Sequence, residues 1–129
     1  MTFKSPEVGA KALKSLLDSD RNFSTVSVEH GLARALNAFS ESDIRLYRNG
    51  SLPFIGREAS VGALSSVTGQ YKSEPISGEV SSVADFGYTH GTYDLTDETK
   101  KVIEHGSYVR IWRKVDYRWK IILDITNAH

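Results

Sequence analysis

GSYVRIWRKVDYRWKIILDITN, residues 106–127, decides the architecture. Two runs rich in β-branched and aromatic residues flank Val115-Asp116-Tyr117-Arg118, which reads as a tight reversal between two long antiparallel strands. Successive side chains of a strand point to opposite faces. That period gathers Val109, Ile111, Trp119, Ile121, Leu123 and Ile125 on one face. It gathers Tyr108, Arg110, Trp112, Lys120, Ile122, Asp124 and Thr126 on the other. The first set is the more apolar, so it is expected to face the core.

Upstream of this hairpin the strand pattern continues through Gly78–Phe86, Tyr88–Leu95 and Lys101–Lys114, with Thr96 to Lys100 as a polar turn. Gly87, Thr89, Gly91 and Tyr93 alternate with Tyr88, His90 and Thr92, and the glycine-bearing set is expected on the core side. The first third of the chain has a different period. Leu13, Leu16, Leu17 and Phe23 recur at helical spacing after Ser5-Pro6, a cap and a first-turn proline. The serines and threonine after Asn22 predict a break there. Gly31 marks a junction to a second helix carrying Leu32, Ala35, Leu36 and Phe39. Ile44 and Leu46 then alternate with Arg45 and Tyr47 in a short strand. The turn signal Asn49-Gly50 leads to an extended segment at Leu52–Ile55. Gly56 to Ser66 predicts a third helix, ended by Gly69. Helices first and hairpins after predict an α+β domain, residues 1–129, with N-terminal helices packed on a curved antiparallel sheet. The crossover helices of a parallel doubly wound sheet are missing from the pattern.

Composition narrows the function. Sixteen basic residues balance sixteen acidic ones among 129, so the chain lacks the broad positive field that nucleic acid or an anionic membrane requires. It contains no cysteine, which excludes thiolate chemistry and disulfides. His30, His90, His105 and His129 show no metal-ligand spacing, so no metal is expected. With no signal-like or membrane-length apolar run, a cytoplasmic location is the expectation.

The stretch NAFSESDIRLYRNGSLPFIGREAS, residues 37–60, resembles the helix–strand–loop–helix entry of the ketosteroid isomerase/SnoaL-like, or nuclear transport factor 2-like, superfamily. Residues 84–95 and 106–127 are similar to the strands of a subfamily of unknown function within it. Tyr108, Trp112, Trp119, Lys120 and Asp124 carry that similarity, and Tyr117 stands where a glycine is common. The resemblance implies a cone-shaped, cystatin-like fold with an internal pocket for a small molecule, and pairing of two copies back to back. It also implies isomerase-, dehydratase- or hydrolase-like chemistry without a cofactor, or else a non-catalytic binding or association domain. The ketosteroid isomerase base falls at Arg48 here and its protonated aspartate near Ile111, so that enzyme's usual route is not expected.

The candidate residues follow from parity. Arg48 shares the face of Ile44 and Leu46. It points inward as a carboxylate or enolate site if the strand continues, or swings into solvent if it ends at Tyr47. Asp85 is a candidate proton shuttle, with turn capping as the competing role. Tyr93 is a candidate hydrogen-bond donor to a substrate oxygen. Thr89, Ile111 and Trp119 are expected to line the pocket. Tyr88, His90, Tyr108, Arg110, Trp112 and Asp124 are expected on the outer face as a homodimer interface, since aromatics beside arginine suit such a surface.

Overall fold

A computed structural model of the chain describes residues 6–129, so the expected cap at Ser5 lies outside the described residues. Helix α1 runs Pro6–His30, α2 Leu32–Phe39 and α3 Arg57–Leu64. Six strands complete the fold: β1 Ser40–Arg48, β2 Phe54–Ile55, β3 Gln70–Val80, β4 Phe86–Thr96, β5 Val102–Val115 and β6 Arg118–Ala128. None of the described helices is long and apolar enough to cross a membrane.

The strands form one sheet in the order β2-β1-β6-β5-β4-β3. It is not the antiparallel, cone-forming sheet predicted from sequence. The hairpins from β3 to β6 are antiparallel, but β1 runs parallel to β6, and β2 and β3 remain as two open edges. The hairpin pattern fixes only the direction of neighbours joined by short turns. β1 and β6 are separated by four other strands, so no turn dictates their relative direction.

α1 does not break at Asn22. Leu16, Asp20, Phe23, Ser24 and Ser27 are all buried on one stripe of it, and packing along that stripe overrides the low propensity of the serines. Two of those serines tie α1 to β3: Ser27 Oγ donates to the Tyr71 carbonyl at 2.9 Å, and the Ser73 N–H donates to Ser24 Oγ at 2.9 Å. β3 is an edge strand, and the Ser24 bond occupies one of the backbone donors that such an edge leaves open.

β3 also begins earlier than the sequence pattern predicts, and residues 81–85 form a turn rather than strand. Its solvent-facing Lys72, Glu74 and Glu79 hide the alternation, and Pro75 sits at a register shift of the kind tolerated at sheet edges.

The larger correction concerns faces. Tyr108, Arg110 and Trp112 pair directly with Gly91, Thr89 and Gly87, and directly opposite residues share a face. All six are buried toward the helices, while Val109 is exposed and Ile111 lies between, on the outer side. The glycines supply no bulk, so the large β5 side chains lie over them. A Cβ on Gly91 would stand 2.8 Å from the Tyr108 hydroxyl oxygen, in space that residue already fills. On β6 the register shifts between the Ile111–Leu123 and Trp112–Ile121 pairs, skipping Ile122. Trp119 and Ile121 therefore face the helices as predicted, but beyond the bulge Asp124 and Thr126 do so and Leu123 and Ile125 do not.

Candidate functional site

The inner face of the sheet meets α1 in an interior that is polar at its centre. Arg110 and Asp20 have no solvent exposure and Asp124 only 4 %. Arg110 is hydrogen-bonded through Nη1 to Asp20 Oδ1 and lies 3.5 Å from Asp124 Oδ2 through Nε. The Tyr108 hydroxyl donates to the other Asp20 oxygen at 2.7 Å. Above and below, the guanidinium is enclosed by aromatic faces, with the Phe23 ring centre at 4.2 Å and the Tyr108 ring centre at 3.9 Å. A guanidinium is flat and weakly hydrated, which suits it to such a stack.

Next to this core lie Tyr71 and Tyr93, stacked at 4.7 Å. The Tyr93 hydroxyl donates to Glu104 Oε2 at 2.7 Å. Arg48 sits beside Thr126 in the β1–β6 register and is half-buried. Thr126 is buried on the inner face, and Arg48 follows the buried Ile44 and Leu46 in the β1 alternation, so the backbone places Arg48 on that face too. Among the described residues its side chain makes no hydrogen bond or ion pair.

Electrostatics follow from burial. Burial pushes the Asp124 carboxyl above the ordinary carboxylate value, against the lowering effect of Arg110 and Arg48. Burial alone would lower Arg110, but Asp20 and Asp124 outweigh it and hold the guanidinium charged. The hydroxyls of Tyr71 and Tyr108 are raised by burial, and that of Tyr93 by burial and its bond to Glu104. All three therefore keep their protons at neutral pH, and those of Tyr93 and Tyr108 are donated to Glu104 and Asp20.

Six side-chain atoms in this interior are buried without a hydrogen-bond partner among the described residues: Tyr71 Oη, Ser73 Oγ, Arg110 Nε and Nη2, Asp124 Oδ1 and Thr126 Oγ1. Leaving a buried polar group unpaired costs about 1–3 kcal/mol each, and Arg110 Nε among them keeps its ion pair with Asp124 at 3.5 Å.

The residues named from sequence fall into three groups. Tyr93 is buried in this interior, and Arg48 is half-buried at its β1 side. Thr89 is buried nearby and accepts from Trp112 Nε1 at 2.9 Å. Tyr108, Arg110, Trp112 and Asp124 belong to the interior too, not to the outer face, because the β4–β5 register and the β6 bulge turn them inward. Asp85 is kept apart. It is exposed in the turn before β4, where Ser81 Oγ donates to it at 2.9 Å, and strand rise separates it from Tyr93 by roughly 25 Å. Its role is turn capping. Ile111 faces outward, and Trp119 packs elsewhere, with Nε1 donating to Ser15 Oγ at 3.2 Å and Lys114 Nζ 5.2 Å from its ring centre. Tyr88 and His90 are on the outer face, stacked at 6.4 Å. Among the described residues no group of three or more His, Asp or Glu side chains is arranged to hold a metal.

Sequence reasoning missed Asp20, Tyr71, Ser73 and Glu104. Asp20 had a signal: a carboxylate four residues after Leu16 and three before Phe23, on the stripe destined for the core.

No protein-family model and no curated protein matches the sequence. Solved structures do match in shape. A protein of unknown function from Shewanella oneidensis, described as NTF2-like, superposes with a TM-score of 0.72 at 17 % identity, over 88 % of this chain and 97 % of that one. A ketosteroid isomerase-like protein from Erwinia carotovora atroseptica superposes at 0.73 with 18 % identity, over 90 % and 95 %. The chain has the NTF2-like fold. A Nostoc punctiforme protein of unknown function with a cystatin-like fold, at 0.71 and 11 % identity, covers 100 % of this chain and 96 % of its own. At these identities the likeness establishes the NTF2-like fold alone, and the chemistry has to be argued from the residues.

Proposed function

We propose that this NTF2-like chain binds a small molecule in the polar interior between α1 and strands β3 to β6. Tyr71 Oη, Ser73 Oγ, Arg110 Nη2, Asp124 Oδ1 and Thr126 Oγ1, buried without a hydrogen-bond partner among the described residues, carry the proposal. A fold that sought only stability would fill this space with apolar side chains, since a buried ion cluster is rarely more stable than its hydrophobic replacement. The side chains around these atoms are held in place by the Asp20–Arg110–Tyr108 network and the Tyr71–Tyr93 stack, which is the preorganisation that binding requires. With Asp85 in a distant turn, the proton shuttle expected beside Arg48 and Tyr93 is not that residue, and the reading put forward is binding.

A thermal-shift panel of carboxylates, steroids, aromatic ketones and amines tests it, together with native mass spectrometry of the purified chain. A ligand that binds only the folded state raises its apparent stability. The expected result is a shift with at least one class, lost in the Tyr71→Phe/Ser73→Ala double variant. No shift with any class, and a mass of the bare 14.3 kDa chain, overturns the proposal.

A second reading rests on the outer face. Phe86, Tyr88 and Val109 are exposed there beside the partly buried Ile111, Leu123 and Ile125, a contiguous apolar strip of the kind that interfaces use. We infer that two copies pair through it. Light scattering is expected to give twice 14.3 kDa and to fall to the single mass in Val109→Glu. A monomer at every concentration refutes the pairing.

A further inference from the structure

The unpaired atoms of the interior are unequal in kind. Arg110 Nη2 can only donate, the hydroxyls of Tyr71, Ser73 and Thr126 can donate or accept, and Asp124 Oδ1 accepts when ionised. A ligand with acceptor oxygens meets the guanidinium donor and can take the hydroxyl protons as well. Charge points the same way. Arg110 already has two carboxylates, Asp20 and Asp124, whereas Arg48 has no ion pair among the described residues, although it is half-buried and sits beside the buried Thr126 in the β1–β6 register. A half-buried guanidinium without an ion pair suits an anion, and its planar fork matches a carboxylate.

We propose that the ligand is a small organic carboxylate, its oxygens held by Arg48 and the Tyr71 hydroxyl, with a flat body suited to the neighbouring Tyr71–Tyr93 stack. This deepens the binding reading above and rests on it. Phosphate and sulfate fit less well, because a flat apolar body gains from the two stacked rings and a bare tetrahedral anion does not. The partly exposed Arg48 also makes it the member of the set that an arriving anion meets from solvent.

Isothermal titration of the full chain with sodium benzoate and with benzamide, which has the same shape without the charge, tests the proposal. Benzoate is expected to bind at least tenfold more tightly than benzamide. Arg48→Met is expected to abolish that preference, Arg48→Lys to keep part of it, and Tyr71→Phe to weaken benzoate severalfold. Circular dichroism on each variant verifies that it is folded, and Tyr71→Phe removes only one oxygen. Equal affinity for the two probes, or a benzoate affinity indifferent to Arg48→Met, overturns the carboxylate assignment and leaves interior binding standing. Failure of benzoate to bind overturns it too, and the thermal-shift panel then decides whether interior binding falls with it.

Discussion

Replacing Asp20 by alanine removes the one carboxylate that serves both Arg110 and Tyr108. The Arg110 guanidinium then stays buried with only Asp124, 3.5 Å away, as counter-charge, and the Tyr108 hydroxyl loses the acceptor it held at 2.7 Å. Breaking a buried ion pair from one side costs about 3–5 kcal/mol, and an orphaned buried hydroxyl about 1–3 kcal/mol. The two do not add, since one group supplies both contacts. The expected loss is about 4 kcal/mol, a large share of the 5–15 kcal/mol or so that holds a domain folded. At a few degrees per kcal/mol for a chain of this length, the melting temperature should fall by about 15 °C. Asp20→Asn keeps the shape and one acceptor oxygen, and should cost about half as much. Removing both ends with apolar residues, Asp20→Leu with Arg110→Met, should recover most of the loss. Urea denaturation followed by far-UV circular dichroism measures all three. A loss under about 1 kcal/mol for Asp20→Ala would mean that the network contributes little and would refute the reasoning.

Two further predictions follow from particular groups. Asp124 has its folded-state value raised by burial, so its protonated form contributes stability that is fully present below the unfolded value of about 3.9 and lost as pH rises through the folded value. Asp124→Asn cannot ionise and should therefore gain stability relative to the parent chain between pH 4 and pH 7. A difference that stays constant across that range contradicts the assignment. Tyr117, 95 % exposed with φ of 66° in the β5–β6 turn, holds a left-handed conformation that costs a non-glycine residue about 1–2 kcal/mol. Tyr117→Gly should stabilise the chain by about 1 kcal/mol in the same urea assay, offset in part by glycine's greater unfolded-state freedom. A destabilisation contradicts it.

Much of the fold is legible in the sequence because local signals agree there. Gly31 at φ 98° separates α1 from α2, and Asn49-Gly50 makes the turn after β1 with both residues at positive φ. The Val115–Arg118 reversal joins β5 to β6 where alternation predicts it. What was not legible depends on pairing between distant segments. The direction of β1 against β6 and the bulge at Ile122 have no short-range cause, and that bulge alone moves Asp124 from one face to the other. The β5 faces were misread for a different reason. Tyr108, Arg110 and Trp112 look like surface beside Val109 and Ile111, and their burial is explained only by the glycines opposite and by Asp20 on α1. For the site, parity put Tyr93 on the inner face, where it is buried, and left Arg48 between the interior and solvent. Tyr71 and Ser73 stayed hidden in an edge strand whose solvent side is charged.

The central claim is that the unpaired atoms around Arg110 meet a ligand. Electron density from a crystal of the chain grown with sodium benzoate tests it most directly. The account predicts a benzoate whose carboxylate oxygens lie within hydrogen-bond distance of Arg48 and Tyr71 Oη, inside the space between α1 and the sheet. An interior in which those atoms and Arg110 Nη2 contact only protein or water, with benzoate absent or bound on the surface, would contradict it.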